Sequence, residues 1–459
     1  MTNNIKKIHF IGIAGIGMSS LASICIAKGY IVTGSDLRPN NLTDNLIKNG
    51  AIIFKGHKES NVKKDIDLIV KSACIKDNNP EIIKGKNYNI PIIYRSELLQ
   101  QIIKEFSFSV AITGTHGKTT TSSICSHIFH FSNKKPTIIV GGEVLSLESN
   151  VVYDKNDIVV AEIDESDGFF SDIQSKVGVI TNIEKEHMET YKTFDNLLNS
   201  NKKFLNNISK QGCLIFNGED KNIKKIIDTV NIKKISFGIN GNFDITCKNY
   251  YYNKFIEFDL IIKNKIYGQI KSILIGRHNI MNILASIAIG FEYGLNFNQI
   301  RETIKSFKGV KRRFEKIGTI FDIEIIEDYA HHPTEIKCVL NAAKNYTLGR
   351  TIAIFQPHRY SRTKDLINDF ATCFFDADIL ILTDIYSADE EKKDNIEVND
   401  LYNIINKNKF EMIKTIKKEK IIDVVSNIVK SKDLILILGA GDIRDISKPL
   451  LNKIKEKYS

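Results

Sequence analysis

The most distinctive chemical pattern in the sequence is a run of glycine, lysine and threonine, TGTHGKTTT, at residues 113–121. It directly follows the apolar run FSVAIT and opens a helical pattern. A glycine-rich turn at a helix N-terminus presents backbone N–H groups to a phosphate, while Lys118 adds a mobile charge and Thr119 a hydroxyl for Mg²⁺. The spacing, through Gly114 and Gly117, is GxxGK rather than GxxxxGK. We predict a phosphate-binding loop; the alternative is a plain strand-to-helix turn with a surface lysine.

Acidic side chains follow two further apolar runs. DIVVAEIDESDGFF carries Glu162, Asp164, Glu165 and Asp167, and VGVITNIEKEHMETY carries Glu184, Glu186 and His187. Unpaired carboxylates at the end of a buried strand are costly, and a magnesium–nucleotide complex would offset that cost. The alternative, for either segment alone, is a set of acidic residues in surface loops.

Histidines and arginines gather in two motifs of the C-terminal third, DYAHHPTE and FQPHRYSRT. His331 and His332 stand before a proline, and His358, Arg359 and Arg362 follow the apolar run TIAIF. A pair of arginines suits a carboxylate through forked hydrogen bonds. The alternative is that these side chains only satisfy the ends of strands.

A second glycine-rich turn lies near the N-terminus, in FIGIAGIGMSS. It contains Gly12, Gly15 and Gly17, and Asp36 follows the next apolar run. The order is GxxGxG rather than GxGxxG, which is a moderate signal for a diphosphate ligand. Alone it fits a nicotinamide cofactor and a sugar nucleotide equally well.

The elements that must position these residues follow a regular rhythm. Short apolar runs end in Gly, Ser, Thr or Asp and are each followed by a helical pattern, which is typical of parallel α/β sheets. We predict an α/β protein of three domains: a Rossmann-like sheet over 1–105, a P-loop-type ATPase domain over 106–310 and a second Rossmann-like sheet over 311–459. The stretch 212–275 alternates short strand-like segments and predicts a smaller antiparallel element. Ligands of open α/β sheets bind beyond the carboxyl ends of the strands, where the polar clusters fall.

Composition excludes several classes of protein. With 42% hydrophobic and 26% charged residues in 459, the chain resembles an average globular protein. The net charge of +10 comes from scattered lysines, and even the longest basic clusters, such as Lys311-Arg312-Arg313, are short, so we expect no nucleic-acid partner. Seven widely spaced cysteines without a CxxC pair predict reduced thiols. No apolar run of about 18 residues and no leader pattern is apparent, so we expect a cytoplasmic protein without a membrane partner.

The motifs GTHGKTTT, EIDESD, TNIEKEHMETY, GRHNIMNILA, RRFE, DYAHHPTE and FQPHRYSRT, in this order, closely resemble the Mur ligase family over nearly the whole chain. FQPHRYSRT together with DYAHHPTE is characteristic of its alanine-adding branch. The resemblance implies ATP-dependent amide formation between the lactyl carboxylate of UDP-N-acetylmuramate and L-alanine through an acyl phosphate, with Mg²⁺, in peptidoglycan precursor synthesis. It implies that the three domains bind the UDP-sugar, ATP and the amino acid, in chain order.

The same resemblance implies roles for individual residues. Those expected to contact ATP are Gly114, Thr115, His116, Gly117, Lys118, Thr119, Thr120, Asn279, Asn282, Arg313 and Asp328. Those expected to organise Mg²⁺ are Thr119, Glu162 and His187. The UDP-sugar is assigned to Gly12, Gly15, Gly17, Asp36, His57 and Ser72, and the amino acid to Tyr329, His331, His358, Arg359 and Arg362. The catalytic set is Lys118, His187, His331, His358, Arg359 and Arg362, and the choice of proton acceptor between His331 and His358 stays open.

A few residues depart from the family pattern. Lys71 stands where the family tends to have Ser, and Glu186 and Glu189 replace Asp. The segment IYSADEEKKD lacks the usual glycine and proline. Asn201 falls where sibling ligases carry a carbamylated lysine, so we predict no carbamate.

Three alternative functions have specific discriminating features. A related ligase that reattaches a recycled tripeptide usually differs in the FQPHRYSRT segment. A nicotinamide-dependent dehydrogenase would explain the first domain but gives no role to TGTHGKTTT, Glu162 and His187. A nucleic-acid-stimulated ATPase would explain the charge but lacks a basic stripe.

Overall fold

The computed structural model describes residues 5–166, 168–388, 390, 396–407 and 413–458. Asp167 and half of the IYSADEEKKD segment, at 389 and 391–394, lie outside the described residues. The chain divides into two compact units, Met1–Asn249 with Phe258–Ile270 and Met281–Lys308, and Tyr250–Glu257 with Lys271–Ile280 and Gly309–Ser459.

The elements alternate between strand and helix along most of the chain. The strands are β1 Lys7–Ile11, β2 Ile31–Asp36, β3 Ile52–Lys55, β4 Leu68–Lys71, β5 Ile92–Tyr94, β6 Phe108–Thr113, β7 Thr137–Val144, β8 Ser149–Val152, β9 Ile158–Glu162, β10 Ser175–Ile180, β11 Ile208–Asn217, β12 Lys233–Phe237, β13 Ile245–Tyr251, β14 Ile256–Ile262, β15 Lys265–Ser272, β16 Glu315–Ile320, β17 Ile323–Asp328, β18 Thr351–Phe355, β19 Ile379–Leu382, β20 Ile413–Thr415 and β21 Leu434–Leu438.

The α-helices are α1 Ile16–Ala27, α2 Asn41–Lys48, α3 Pro80–Asn87, α4 Arg95–Ile103, α5 Lys118–Phe131, α6 Met188–Tyr191, α7 Phe194–Asn206, α8 Lys221–Lys224, α9 Arg277–Tyr293, α10 Phe297–Ser306, α11 Pro333–Tyr346, α12 Tyr360–Asp365, α13 Ile367–Phe370, α14 Val398–Asn406, α15 Lys418–Ile428 and α16 Ser447–Tyr458. Short 3-10 helices occupy Glu59–Asn61, Phe169–Asp172, Ile227–Thr229 and Asp442–Ile446.

The N-terminal sheet has five parallel strands in the order β3-β2-β1-β4-β5. Because side chains alternate across a strand, Phe10 of β1 packs in the cluster on one face and Ile11 in the cluster on the other. The strand order reverses between β1 and β4, which is the switch point where such sheets bind ligands. The first glycine-rich turn therefore leaves β1 at that point.

The central sheet has ten strands in the order β15-β14-β13-β12-β11-β10-β6-β9-β7-β8. β6 lies between β10 and β9 and is parallel to both, so its carboxyl end is flanked by the ends of the two strands that precede the acidic motifs. The turns from β13 to β14 and from β14 to β15 are too short for a parallel crossover. Each of these pairs of neighbouring strands is therefore antiparallel. This antiparallel element is shorter than the predicted stretch 212–275, because β11 and β12 pair in parallel.

The C-terminal sheet has six strands in the order β16-β17-β21-β18-β19-β20. Among the described strands of this sheet, only β16 is antiparallel to its neighbour, and β17, β21, β18, β19 and β20 run parallel. Adjacent residues Ile325 and Ile326 of β17 belong to separate apolar clusters on the two faces, as a sheet buried on both sides requires. The predicted α/β fold class is confirmed. In the described part of the chain, no helix is long and apolar enough to cross a membrane.

Candidate functional site

The predicted phosphate loop joins β6 to α5 and depends on two glycines. Gly114 has φ +128° and Gly117 has φ +81°, a region that L side chains rarely adopt. A Cβ at Gly117 would lie 2.5 Å from Asn282 Oδ1, and a Cβ at Gly114 would overlap Thr181 Oγ1. Both positions therefore require glycine for conformation and for space, and the loop backbone stays open at the N-terminus of α5.

The loop is held by the residues that follow β10. The backbone N–H of His116 donates to Asn182 Oδ1 at 2.7 Å, and the His116 carbonyl accepts from Thr181 Oγ1 at 2.6 Å and Asn182 Nδ2 at 2.9 Å. The Glu184 N–H donates to Thr115 Oγ1 at 2.9 Å. Thr181 and Asn182 were not predicted as site residues, although they are the first two residues of the TNIEKEHMETY motif and follow a strand beside the acidic residues. They fix the loop before any ligand binds.

Lys118 begins α5 and turns back over its own loop. Its Nζ donates to the Gly114 carbonyl at 2.6 Å and lies 2.8 Å from Glu165 Oε2. Burial disfavours the ammonium, but the carboxylates of Glu165 and Asp164 outweigh it and raise the pKa of Lys118. Burial also raises the pKa of Glu165, against the lowering effect of Lys118. The lysine is therefore a cation whose present partner is a buried carboxylate.

Glu162 ends β9 beside the first turn of α5. Thr119 Oγ1 donates to Glu162 Oε1 at 2.9 Å, and the Gly141 N–H donates to Glu162 Oε2 at 2.6 Å. A Cβ at Gly141 would lie 2.6 Å from Glu162 Oε1, so only glycine fits there. The structure brings together Thr119 and Glu162, two hard oxygen donors of the kind that Mg²⁺ prefers.

His187 lies at the N-terminus of α6 in a left-handed conformation, with φ +57°. Its Nδ1 is 3.6 Å from Glu189 Oε1. Burial works against protonation of the ring, but Glu189 and then Glu165 outweigh it, and the pKa of His187 is raised. The imidazole would have to lose its proton before it could bind a metal ion.

The N-terminal glycine turn forms a smaller cradle at the switch point. Gly12 has φ +83°, and a Cβ there would lie 3.2 Å from Ser72 Cβ. The Ala14 N–H donates to Asp36 Oδ2 at 3.0 Å, and Gly15 is the N-cap of α1. Gly12, Gly15, Asp36 and Ser72, all predicted to face the UDP-sugar, are thus close together at one edge of the sheet.

Gly17 faces an arginine that was not predicted. A Cβ at Gly17 would lie 2.5 Å from Arg95 Nη1, so the guanidinium lies directly on the glycine. Arg95 Nη2 is 3.7 Å from Asp164 Oδ2 beyond β9. Arg95 therefore connects the first glycine turn with the acidic motif beside Lys118. The one signal in the sequence is a basic residue directly after the apolar run of β5.

Asp328 ends β17 and is almost completely buried. Its carboxylate accepts from the N–H of Phe314 at 2.7 Å and of Ala330 at 2.7 Å. Burial raises the pKa of Asp328 to about 6, although Arg313 and these two N–H groups act in the opposite direction. In the same unit, the Arg313 guanidinium lies 5.4 Å from the ring of Tyr329.

His331 and His358 come together at the ends of neighbouring segments, with ring centroids 5.9 Å apart. The ring of His358 stacks on Tyr386 at 5.5 Å, and Arg362 Nη1 donates to the His358 carbonyl at 3.2 Å. Burial lowers the pKa of His358 to about 3, helped by the neighbouring His331 ring and by the positive charges of Arg362 and Arg359. His358 is therefore neutral at physiological pH. Tyr386 was not predicted, since it lies far along the chain from the histidine motif.

The long helix α9 carries the two asparagines predicted to contact ATP. Asn282 Oδ1 accepts from Thr121 Oγ1 at 3.2 Å, which packs this helix against α5 behind the phosphate loop. Asn279 belongs to the second compact unit, where its Nδ2 donates to the Ile275 carbonyl at 2.8 Å. Asn282 therefore lies at the phosphate loop, and the role of Asn279 stays a prediction.

A glycine-rich phosphate loop with an ion-paired lysine, at the carboxyl edge of an α/β sheet, defines a protein that handles nucleotide phosphates. Three family models match successive parts of the chain: the Mur ligase family catalytic domain at residues 7–107, the Mur ligase middle domain at 112–290 and the Mur ligase glutamate ligase domain at 312–441. The chain belongs to the Mur ligase family.

Relatives of known name match from end to end. The chain is 39% identical to UDP-N-acetylmuramate–L-alanine ligase of Clostridium acetobutylicum over 98% of both chains. It is 41% identical to the ligase of the same name from Clostridium tetani over 96% of both. Among solved structures, UDP-N-acetylmuramate–alanine ligase of Thermotoga maritima has a TM-score of 0.82 and 28% identity, covering 98% of this chain and 99% of that one. A murein peptide ligase of Psychrobacter arcticus, at 22% identity and a TM-score of 0.73 over 98% of both chains, shares the fold.

Proposed function

We propose that this protein is an ATP-dependent ligase that joins the lactyl carboxylate of UDP-N-acetylmuramate to the amine of L-alanine, in peptidoglycan precursor synthesis. The observation that carries the proposal is the preorganised phosphate loop with Lys118 on its open side, in a chain that aligns from end to end with ligases of that name. The proposal includes a cytoplasmic location and the three domains predicted above, with boundaries near residues 105 and 310.

The first step is phosphoryl transfer. An oxygen of the lactyl carboxylate attacks the γ-phosphorus of ATP, the bond to the bridging oxygen breaks, and an acyl phosphate and ADP form. Such reactions depend on positioning and on charge stabilisation rather than on covalent help from the protein. Lys118 supplies a mobile positive charge, and the backbone N–H groups of the loop supply fixed donors. When nucleotide binds, Lys118 exchanges its contact with Glu165 for the phosphate oxygens.

Thr119 and Glu162 are the residues that fit Mg²⁺, because a hydroxyl and a carboxylate oxygen 2.9 Å apart offer hard oxygen ligands. The ion, when bound, would neutralise charge on the phosphate groups. His187 fits less directly, since its raised pKa favours the cation. We propose that His187 either ligates after deprotonation or places its positive charge beside the phosphates.

The second step is amide formation. The neutral amine of L-alanine attacks the acyl carbon, and the tetrahedral intermediate collapses to the amide and inorganic phosphate. Arg359 and Arg362 suit the α-carboxylate of alanine, through forked hydrogen bonds. The ammonium of free alanine must lose a proton first. With a pKa of about 3, His358 is a weak base, which favours His331 as the acceptor.

The test is the amino-acid dependence of phosphate release. Purified protein with ATP and Mg²⁺ should release phosphate when UDP-N-acetylmuramate and L-alanine are both present, and the product should gain one alanine by mass spectrometry. Release with a murein tripeptide but not with alanine would instead indicate the tripeptide-attaching ligase. Release stimulated by RNA or DNA, with no effect of the sugar nucleotide, would contradict the proposal.

A further inference from the structure

A completely buried carboxylate lies against the N-terminal sheet, away from the phosphate loop. Glu81, in the first turn of α3, has no exposed side-chain surface. Its Oε2 accepts from Ser35 Oγ at 2.5 Å, its Oε1 accepts from Asn61 Nδ2 at 2.5 Å, and the buried His9 Nε2 lies 3.8 Å from Oε1. A buried charge is costly even when it is paired, and apolar packing is often as stable. Stability alone gives little reason to place a carboxylate here.

The proton positions in this network can be worked out from the contacts. Burial alone would raise the pKa of Glu81, but the nearby His9 ring and the hydrogen bonds from Ser35 and Asn61 outweigh it and lower the pKa. Glu81 is therefore an ionised carboxylate, which only accepts hydrogen bonds. The single hydroxyl proton of Ser35 is used in its short bond to Glu81.

His57 is the fifth side chain of the network and the only one predicted to meet a ligand. Its Nδ1 lies 2.9 Å from Ser35 Oγ and 3.2 Å from Glu81 Oε2. Both neighbours can only accept from it, so Nδ1 must carry the proton. In the neutral ring the other nitrogen, Nε2, then has a lone pair and accepts a hydrogen bond. The His57 side chain is 12% exposed, and no protein hydrogen bond to Nε2 occurs within the described residues.

The place of His57 in the sheet indicates which part of a ligand it meets. It follows Gly56 at the end of β3, and β3 lies beside β2, which ends at Asp36. β2 lies beside β1 and the glycine turn, so two strand spacings of about 4.8 Å separate His57 from the diphosphate position. In doubly wound sheets the acidic residue at the end of the second strand faces the ribose. His57 therefore lies on the nucleoside side of Asp36.

We propose that Glu81 is a positioning residue, which fixes His57 as the Nδ1–H tautomer so that Nε2 accepts a hydrogen bond from the nucleoside end of the UDP-sugar. The donor is the N3–H of uracil or a hydroxyl of the ribose, because an ionised diphosphate has no proton to give. The inference rests on the proposed function for the identity of the nucleotide. A contact with uracil N3–H would also select UDP over CDP, since cytosine has an acceptor at N3.

The tautomer can be measured without any substrate. Long-range ¹H–¹⁵N spectra of the full chain report which imidazole nitrogen is protonated, and the His57 signal is identified by its loss in His57→Phe. Wild type should show Nδ1–H. In Glu81→Gln the new amide N–H₂ can donate to Nδ1, so the signal should move toward the Nε2–H tautomer. An Nε2–H tautomer in wild type would overturn the inference and leave the proposed function intact.

The consequence for binding is measured by calorimetry with UDP and CDP as probes, and by steady-state kinetics. Glu81→Gln should weaken UDP binding on the order of 5- to 100-fold, the cost of a mismatched donor, and raise KM for UDP-N-acetylmuramate with little change in KM for ATP. Glu59→Gln is the matched control, because Glu59 is exposed and forms a long ion pair of 3.8 Å with Lys84. It should bind UDP as wild type does.

The outcomes separate the possible donors and the possible failures. Loss of UDP affinity with a gain in CDP affinity identifies uracil N3–H, because the Nε2–H of the variant can donate to cytosine N3, and equal losses identify the ribose. Unchanged UDP affinity in a Glu81→Gln protein that melts like wild type would overturn the inference. If that variant does not fold, His57→Phe tests the same contact without altering Glu81, and unchanged UDP affinity there is equally decisive. A wild-type protein that binds no UDP would contradict the proposed function, while the tautomer measurement still tests the network.

Discussion

The phosphate loop of the central domain and the histidine–arginine cluster of the C-terminal domain handle charge in opposite ways. At the loop, the cation of Lys118 is 2.8 Å from the buried carboxylate of Glu165, so the site is compensated from within. In the cluster, burial lowers the pKa of His358 most, and the neighbouring His331, Arg362 and Arg359 act in the same direction, so that the pKa is about 3. At the phosphate loop, Lys118 must leave Glu165 before it can bind an anion. The histidine–arginine cluster already favours a negatively charged ligand.

This difference matches two different tasks. A mobile lysine that leaves one carboxylate for a polyphosphate can follow charge as it moves during phosphoryl transfer. Planar guanidinium groups on a fixed turn suit a carboxylate that stays in place while its amine reacts. The comparison therefore predicts that substitutions at the loop impair turnover and that substitutions in the cluster impair binding of the amino acid.

The largest effect is expected from Lys118→Ala. Removing a charge that stabilises the transferring phosphoryl group typically costs about 100-fold or more in kcat. The fold should be retained, but thermal stability should fall, because the variant leaves the buried carboxylate of Glu165 without its ion-pair partner. Lys176→Ala, on an exposed face of the same sheet, is the control. Phosphate release above about a tenth of the wild-type rate would contradict a phosphoryl-transfer role.

The second effect concerns Arg359→Ala and Arg362→Ala. Losing a charge-assisted hydrogen bond costs about 1.5 to 3 kcal/mol, so KM for L-alanine should rise on the order of 10- to 100-fold. KM for ATP should change little, and lysine at either position should rescue only in part, because a point charge lacks the forked geometry. The test is steady-state kinetics with parallel thermal melts. A lower melting temperature with unchanged KM for alanine would show that the arginines only brace the turn.

The sequence predicts the phosphate loop better than it predicts the distant residues that hold the loop and the first glycine turn in place. A glycine-rich turn and the helix it opens are formed by neighbouring residues, so TGTHGKTTT alone indicates their geometry. The contacts of Asn182 with His116 and of Arg95 with Gly17 join distant segments, and they depend on which strands become neighbours. The α/β class could be predicted because apolar runs and helices alternate. The parallel pairing of β11 with β12 could not, because strand direction depends on the connections between strands.

The third effect is on stability. It tests whether ionisation of the buried carboxyl group of Asp328 destabilises the C-terminal domain. The pKa of Asp328, about 6, is above its ordinary value of 3.8, so the folded state holds the proton more tightly. The stability contributed by this group is complete below about pH 4 and is lost as pH rises through about 6. Two pKa units correspond to at most about 3 kcal/mol. The melting temperature of Asp328→Asn relative to wild type should therefore rise by a few degrees between pH 4 and pH 7.5.

The pH dependence, rather than the absolute melting temperature, is the measure for Asp328→Asn. An asparagine has one acceptor oxygen for the two N–H groups of Phe314 and Ala330, so the variant loses part of a hydrogen bond at every pH. Asp322→Asn, at the exposed turn before the same strand, should show no gain between the two pH values. If the difference in melting temperature between Asp328→Asn and wild type is the same at both pH values, the charge of the buried carboxylate is fully compensated by its neighbours, as it is at the phosphate loop.

The smallest effect is expected in the pH profile of His358→Asn. With a pKa of about 3, His358 is deprotonated throughout an assay between pH 5 and 9 and cannot produce a break in kcat/KM for alanine there. His358→Asn should lower the rate but leave the shape of the profile unchanged, whereas His331→Asn should alter the acidic limb if His331 accepts the proton. Loss of an acidic limb in His358→Asn would contradict the electrostatic contrast between the two sites. Arg362→Ala sharpens the test, because removing one of the surrounding charges should raise the pKa of His358, which ¹⁵N spectra of the imidazole measure directly.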